Sequence, residues 1–112
     1  MASVDELWLT DFGDPYPGEP SSYRPSLVIG PPETFGSTFP FVIVLPTTTS
    51  RRGLSLHVEV EPDHVNGLDV TSYVQCELIR SVNCRRLIHR VGMVDATTSD
   101  AVSLILRTLL NH

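Results

Sequence analysis

The sequence has no lysine: all eight of its basic residues are arginines. Any cationic grip it exerts is therefore a planar guanidinium, which holds phosphate with two prongs and stacks on bases, as an ammonium does poorly. A biased gene composition would give the same count, so the absence alone assigns nothing. Cysteine is scarce. Cys76 and Cys84, with His89, offer three metal donors but no fourth and no close-spaced pair, which argues against a zinc site. The two thiols are expected to be free. No apolar run nears the ~20 residues of a membrane helix; the longest, Phe39 to Pro46, suits a strand. The opening residues lack the basic start and apolar stretch of a secretory signal, so a cytoplasmic protein is expected. There is no glycine-rich phosphate loop, no Ser/His/Asp set and no repeat, and no cofactor is expected. A net charge of −5 argues against a general nucleic-acid binder.

What is present is a globular composition, 41% hydrophobic and 19% charged. At 112 residues it is expected to form a single domain, 1–112, with one core. Its charge is uneven. All five charged residues before Arg24 are acidic, whereas five of the eight arginines fall after residue 76. Glu6 to Phe12 alternates as a strand does. Gly13 to Ser22, rich in proline, reads as a stiff loop, expected to be mobile or folded over the groove with Asp14 and Glu19. Pro25 suits the first position of a strand that continues through Leu27 to Ile29. Phe41 to Leu45 is a buried third strand ended by Pro46, and Leu54 to Val60 a half-buried fourth. Ser72 to Val82 gives one or two strands, Asn83 to His89 a short helical turn, and Val91 to Val94 a last strand. Asp95 is set to cap a helix whose stripes Ala101, Ile105, Leu109 and Val102, Leu106, Leu110 form a broad apolar face for the sheet. Five or more short strands closed by one helix point to a small, twisted, partly open barrel.

Two segments carry chemistry. Arg24 enters the second strand, and Thr47-Thr48-Thr49 leave the third, followed by Arg51 and Arg52. Folded together, a guanidinium can face a hydroxyl, which suits a phosphate on which charge is building. Each has a plainer reading. Arg24 can pair with an acid of the preceding loop, threonines commonly cap turns, and adjacent arginines can be a solvated turn. His57 and His89 read as structural, and Trp8 and Phe12 as core or dimer contacts.

In order along the chain, Glu6–Phe12, Gly18-Glu19-Pro20 followed by Arg24–Ile29, Val44–Thr49, His57–Val60, Ser72-Tyr73-Val74 and Glu77–Ser81 resemble the MazF/PemK family of toxin endoribonucleases from toxin–antitoxin pairs. The resemblance implies a mainly β, SH3-like, partly open barrel of MazF/CcdB type with a C-terminal α-helix, and a homodimer. It implies sequence-specific, ribosome- and metal-independent cleavage of single-stranded RNA (mRNA) by 2′-hydroxyl attack, blocked by a cognate antitoxin with an acidic disordered tail. Arg24 matches the family's catalytic arginine before proline. Thr47 matches its catalytic threonine, with Thr48 one position away. The candidate RNA contacts are Tyr16 and Phe35, which can stack on unpaired bases; Arg51, Arg52 and Arg80 for phosphates; Glu77 as a positioning acid; and Glu19 and Leu78 near base-reading positions. The family often has serine where Gly18 runs straight to Glu19, and glutamine where Leu78 stands, so these departures bear on the cleavage sequence. Two other readings stay open: a CcdB-like protein-binding gyrase poison, which would not need the Arg24 and threonine pair, and a catalytically inactive toxin homologue.

Overall fold

The computed structural model describes residues 2–14, 16–18 and 22–112. Seven strands and one helix follow in order: β1 (Glu6–Asp11), β2 (Tyr23–Gly30), β3 (Phe41–Thr48), β4 (His57–Val60), β5 (Ser72–Gln75), β6 (Arg80–Asn83), β7 (Leu87–Met93) and α1 (Ala96–Leu109). Short 3-10 turns at Glu33–Phe35, Cys76–Leu78 and Cys84–Arg86 join some of them. Every strand pairing is antiparallel, in the order β4-β5-β3-β2-β1-β7, with β6 also against β3. The sheet does not close: β4 and β7 remain its ends.

Alternation along the strands builds two apolar layers. Leu27 and Leu45 join Leu7, Val60, Val74, Cys76 and Val94 on one face, under Val102 of α1. Val28 and Val44, their sequence neighbours, join Phe12, Val42 and Val82 on the other, with Trp8 packed alongside. Full burial of Leu27 or Leu45 stabilises by about 1.5–3 kcal/mol relative to exposure. The helix starts where Asp95 accepts from the Thr98 amide at 2.8 Å, as its sequence position predicts. Its apolar face is narrower than expected. Val102 is buried, with Ile105 and Leu106 packed against the core, but Leu109 and Leu110 stand exposed because the helix runs past the edge of the layer it covers.

Several boundaries differ from the sequence reading. β2 begins at Tyr23, so Arg24 and Pro25 lie within it. β3 runs on through Pro46 to Thr48, because β5 supplies a partner for Thr47 and Thr48 where β2 has left off. β4 begins only at His57. The Ser72–Val82 segment is two strands parted by the 3-10 turn, so Glu77 and Leu78 sit on that turn and not on a strand. β7 takes in His89 as well as Val91. The 63–68 loop is held tightly to it. Met93 N–H donates to Val65 at 3.1 Å, and Gly67, at φ +70°, lies so near the Val91 carbonyl that a Cβ would meet it at 2.1 Å.

Glu6 ties the two ends of β1's surroundings together. Its carboxylate accepts from the Ser3 amide at 2.7 Å, the Trp8 indole N–H at 3.0 Å and Arg90 Nε at 2.8 Å. Partial burial pushes its pKa up, but the hydrogen bonds from Trp8, Ser3 and Arg90 outweigh that and hold it below the ordinary value. A lowered folded-state pKa means stability that is complete above the unfolded value and lost as pH falls through the folded one. Glu6→Gln should therefore lower stability at neutral pH and flatten the acid side of a urea-denaturation series. An unchanged acid side would show that this link adds nothing.

Candidate active site

The site forms where two adjacent strands part. The β2–β3 ladder runs from Gly30 and Ile43 to Ser26 opposite Pro46 and then stops. At the next β2 position, Pro25 has no N–H to offer. Its carbonyl, which would otherwise meet a β3 amide, accepts instead from Thr47 Oγ1 at 2.7 Å. Beyond the break β3 pairs with β5, Thr47 opposite Val74 and Thr48 opposite Tyr73. The gap opens into a groove of about 840 Å³. Its walls include Gly18, Tyr23, Arg24 and Pro25 on one side, Thr47 to Ser50 and Arg52 on the next, and Asp69, Ser72, Gln75, Glu77 and Leu78 on the third.

Arg24, half-buried, crosses the gap. Its Nη1 donates to the Thr47 carbonyl at 3.4 Å, while its Nε is covered and has no hydrogen-bond partner. Behind it, the fully buried hydroxyls of Thr10 and Ser26 are 2.6 Å apart and knit β1 to β2. The two threonines of the opposite wall differ. Thr47 is only 4% exposed and its hydroxyl proton points at Pro25. Thr48 is half-buried. Its oxygen accepts from the Ser50 amide at 3.2 Å, which leaves its own proton free to donate into the groove.

The third wall holds a coupled pair. His57 Nε2 and Glu77 Oε2 are 2.8 Å apart, with the histidine side chain 3% and the glutamate 27% exposed. Glu77 Oε1, His57 Nδ1 and Gln75 Oε1 are buried without partners. With Arg24 Nε these are the buried side-chain polar atoms left unpaired among the described residues; Arg24, Gln75 and Glu77 line the groove, and His57 contacts Glu77 outside that lining. An unpaired buried polar atom costs about 1–3 kcal/mol, so their gathering marks the groove's walls as polar. Cys76, on the same turn, is not a nucleophile for it. Burial pushes its thiol up to about 11, and the neighbouring Glu77 charge adds to that.

Of the sequence-predicted contacts, the structure brings Arg24, Thr47, Thr48, Arg52, Glu77 and Leu78 to the groove. Arg51 lies outside its lining. Arg80 sits over the Phe12 ring, 5.3 Å from its centre, as packing. Phe35 is exposed and meets Phe39 edge-on at 5.4 Å, beside a separate apolar hollow that Phe39 and Phe41 line. Tyr16 is 80% exposed. Glu19 lies outside the described residues, and with it the expected covering of the groove by that acid. Gln75 and the partnering of Glu77 by His57 were not foreseen. A glutamine between Val74 and Cys76, inside an otherwise apolar run, was the available signal. Among the described residues, no three of His, Cys, Asp and Glu gather as a metal site would need. No helix among them is long and apolar enough to cross a membrane.

A family model described as "PemK-like, MazF-like toxin of type II toxin-antitoxin system" matches residues 4–110. Solved structures agree in fold. MazF from Deinococcus radiodurans superposes with a TM-score of 0.85 at 23% identity, covering 99% of this chain and 97% of that one. Toxin MazF-mt6 of Mycobacterium tuberculosis gives 0.76 at 24%, covering 95% and 96%. An endoribonuclease in complex with its cognate antitoxin, from a mycobacterial species, gives 0.79 at 20%, covering 99% and 96%.

The difference between the threonines is testable without any ligand. Thr47→Val should cost about 1–3 kcal/mol in a urea melt, because it leaves the Pro25 carbonyl unpaired in a buried place. Thr48→Val should leave the melt within about 0.5 kcal/mol of the parent, as surface changes do. Equal effects would refute the assignment of Thr47 as the brace.

Proposed function

Because the chain belongs to the PemK-like, MazF-like toxin family of type II toxin–antitoxin systems, we propose that it acts as a single toxin domain that cleaves single-stranded RNA at the Arg24 groove. The observation that carries this reading is a guanidinium, Arg24, bridging a ladder break to the Thr47 carbonyl and lining the same groove as the Thr48 hydroxyl. Arginine stays charged at any ordinary pH, so it is a poor base but a good stabiliser of a doubly charged phosphorane. The substrate's own 2′-oxygen attacks the phosphorus and its proton leaves to solvent. The bond to the 5′-oxygen breaks and that oxygen takes up a proton. The products are a 2′,3′-cyclic phosphate and a 5′-hydroxyl. Arg24 holds a non-bridging oxygen through the charge build-up. Thr48 donates to the same phosphate, and Thr47 keeps β3 against Pro25 so that both stay aimed. The guanidinium supplies the positive charge in this scheme, so cleavage should survive a chelator.

Two partners follow from the same reading. The first is an antitoxin whose acidic tail competes for the cationic rim at Arg52, as the complexed relative invites. Salt should weaken it. The second is another copy of the chain. Leu104 is 65% exposed on α1, and Leu109 and Leu110 are exposed at its C-terminal end, apolar surface that a two-fold partner would cover. Paired grooves would let one strand of RNA be read over several bases.

Arg24→Ala should cut cleavage of a long unstructured RNA on the order of 100- to 1000-fold, with the melt unchanged. Thr48→Val should cost activity at unchanged stability. Mapping of the RNA ends checks both. Wild-type rates in Arg24→Ala would overturn the reading, and a wild-type protein that binds but never cuts RNA would favour an inactive homologue. Light scattering at micromolar concentration tests the dimer.

A further inference from the structure

The hollow beside Phe39 shares no lining residue with the Arg24 groove. It holds about 770 Å³ where the connection from β2 to β3 meets the Cys84–Arg86 turn. That volume is ordinary for a small-ligand site. Its walls are mainly hydrocarbon. Val42 belongs to the second apolar layer, and Trp8 and Leu87 pack against it. Phe39 and Phe41 meet edge to face at 6.4 Å, and both stand exposed. Aromatic rings grouped on a surface in this way mark a place for a ligand or partner. Most polar side chains of the walls are already engaged. The Trp8 indole N–H donates to Glu6 at 3.0 Å, and the Cys84 thiol to the Phe39 carbonyl at 3.5 Å. Asn83 Oδ1 accepts from the Arg85 amide at 2.9 Å, and Glu33 Oε1 from Ser3 Oγ at 3.0 Å. Arg85 differs. Its guanidinium has no hydrogen bond and no ion pair among the described residues.

We infer that this hollow binds a small apolar carboxylate, an alkyl acid whose tail lies on Trp8, Phe39 and Phe41 and whose head is held by Arg85. The walls draw a hydrocarbon tail out of water. The guanidinium fork matches a carboxylate with two parallel hydrogen bonds. A neutral head would leave Arg85 unmet, and a cationic one would be repelled by it. Glu33, the other charged residue of the lining, repels an anion, so the head has one place, at Arg85. The inference does not rest on the nuclease reading. The ligand would sit against β3, the strand that carries Thr47 and Thr48, without touching a residue of the groove.

Titration with octanoate and, separately, with octylammonium tests this. Trp8 is the chain's one tryptophan and lines the hollow, so its fluorescence reads this site. Octanoate should shift that fluorescence saturably. It should bind about fivefold tighter than octylammonium, the size expected of one exposed ion pair. From butanoate through hexanoate to octanoate, affinity should climb about two- to fourfold per methylene, as for hydrocarbon leaving water. Arg85→Glu should reverse the preference between the two head groups. Arg107→Glu makes the same charge change on α1, outside the lining, and should leave the preference as it was. No saturable shift, equal affinity for both head groups, affinity independent of chain length, or a preference that survives Arg85→Glu would each overturn the inference. So would a response that disappears as protein concentration rises, since a second copy would then be what covers the hollow.

Discussion

The structure depends on one broken ladder. β2 and β3 pair as far as Ser26 and Pro46, and no further. At the break β2 carries Pro25, whose backbone has no N–H to give to β3, and the pairing does not continue. A proline in mid-sheet is ordinarily a fault. Here the missing bond is replaced by a side chain, Thr47 Oγ1 to the Pro25 carbonyl, and the strands separate around it. β3 takes β5 as its new neighbour, and β5 brings β4. The groove, the position of Arg24 and the seat of the Gln75–Glu77 wall all follow from that change of partner.

Electrostatics then decides what the gap can hold. The chain is acidic overall, yet its covered, unpaired donor is an arginine. Removing a guanidinium from water without an acid partner is unfavourable, and no carboxylate lies within ion-pair distance of Arg24 among the described residues. The site therefore carries its own unmet demand for an anion. Among the described residues, no base is hydrogen-bonded to the Thr48 hydroxyl that would activate it against such an anion. The Cys76 thiol stays protonated, and the Thr47 proton is held by a carbonyl. Under the proposed function the attacking group is the substrate's own 2′-hydroxyl.

Much of this could be read from the residues in order. Arg24 before Pro25, the run of threonines after an all-apolar strand, and the Asp95 cap all stand where the sequence puts them. The choice between Thr47 and Thr48 could not be read, because it turns on strand parity. Pro46 looks like a stop, and past a stop the side chains have no defined faces. Only the pairing with β5 continues the alternation and sends one hydroxyl inward and the next outward. Glu77 was legible as an acid of interest, but its partner was not. His57 lies twenty residues earlier, and the two meet because β4 pairs with β5, His57 opposite Gln75. The place of Phe35 was not legible either: its loop puts the ring against Phe39, outside the lining of the Arg24 groove.

The two halves of the groove rest on different parts of the fold. The Arg24 half is built from β2 and β3, central strands whose residues Leu27, Val28, Val44 and Leu45 are shared between the two apolar layers. Changes there disturb the core. The Glu77 half sits on the end of β5 and the Cys76–Leu78 turn, and of that turn only Cys76 is in the core. Substitution on that turn changes which donors and acceptors face the strand without moving Arg24. A change at Glu77 therefore acts on the groove's surface and on its His57 contact, whereas a change in β2 or β3 acts on the core as well.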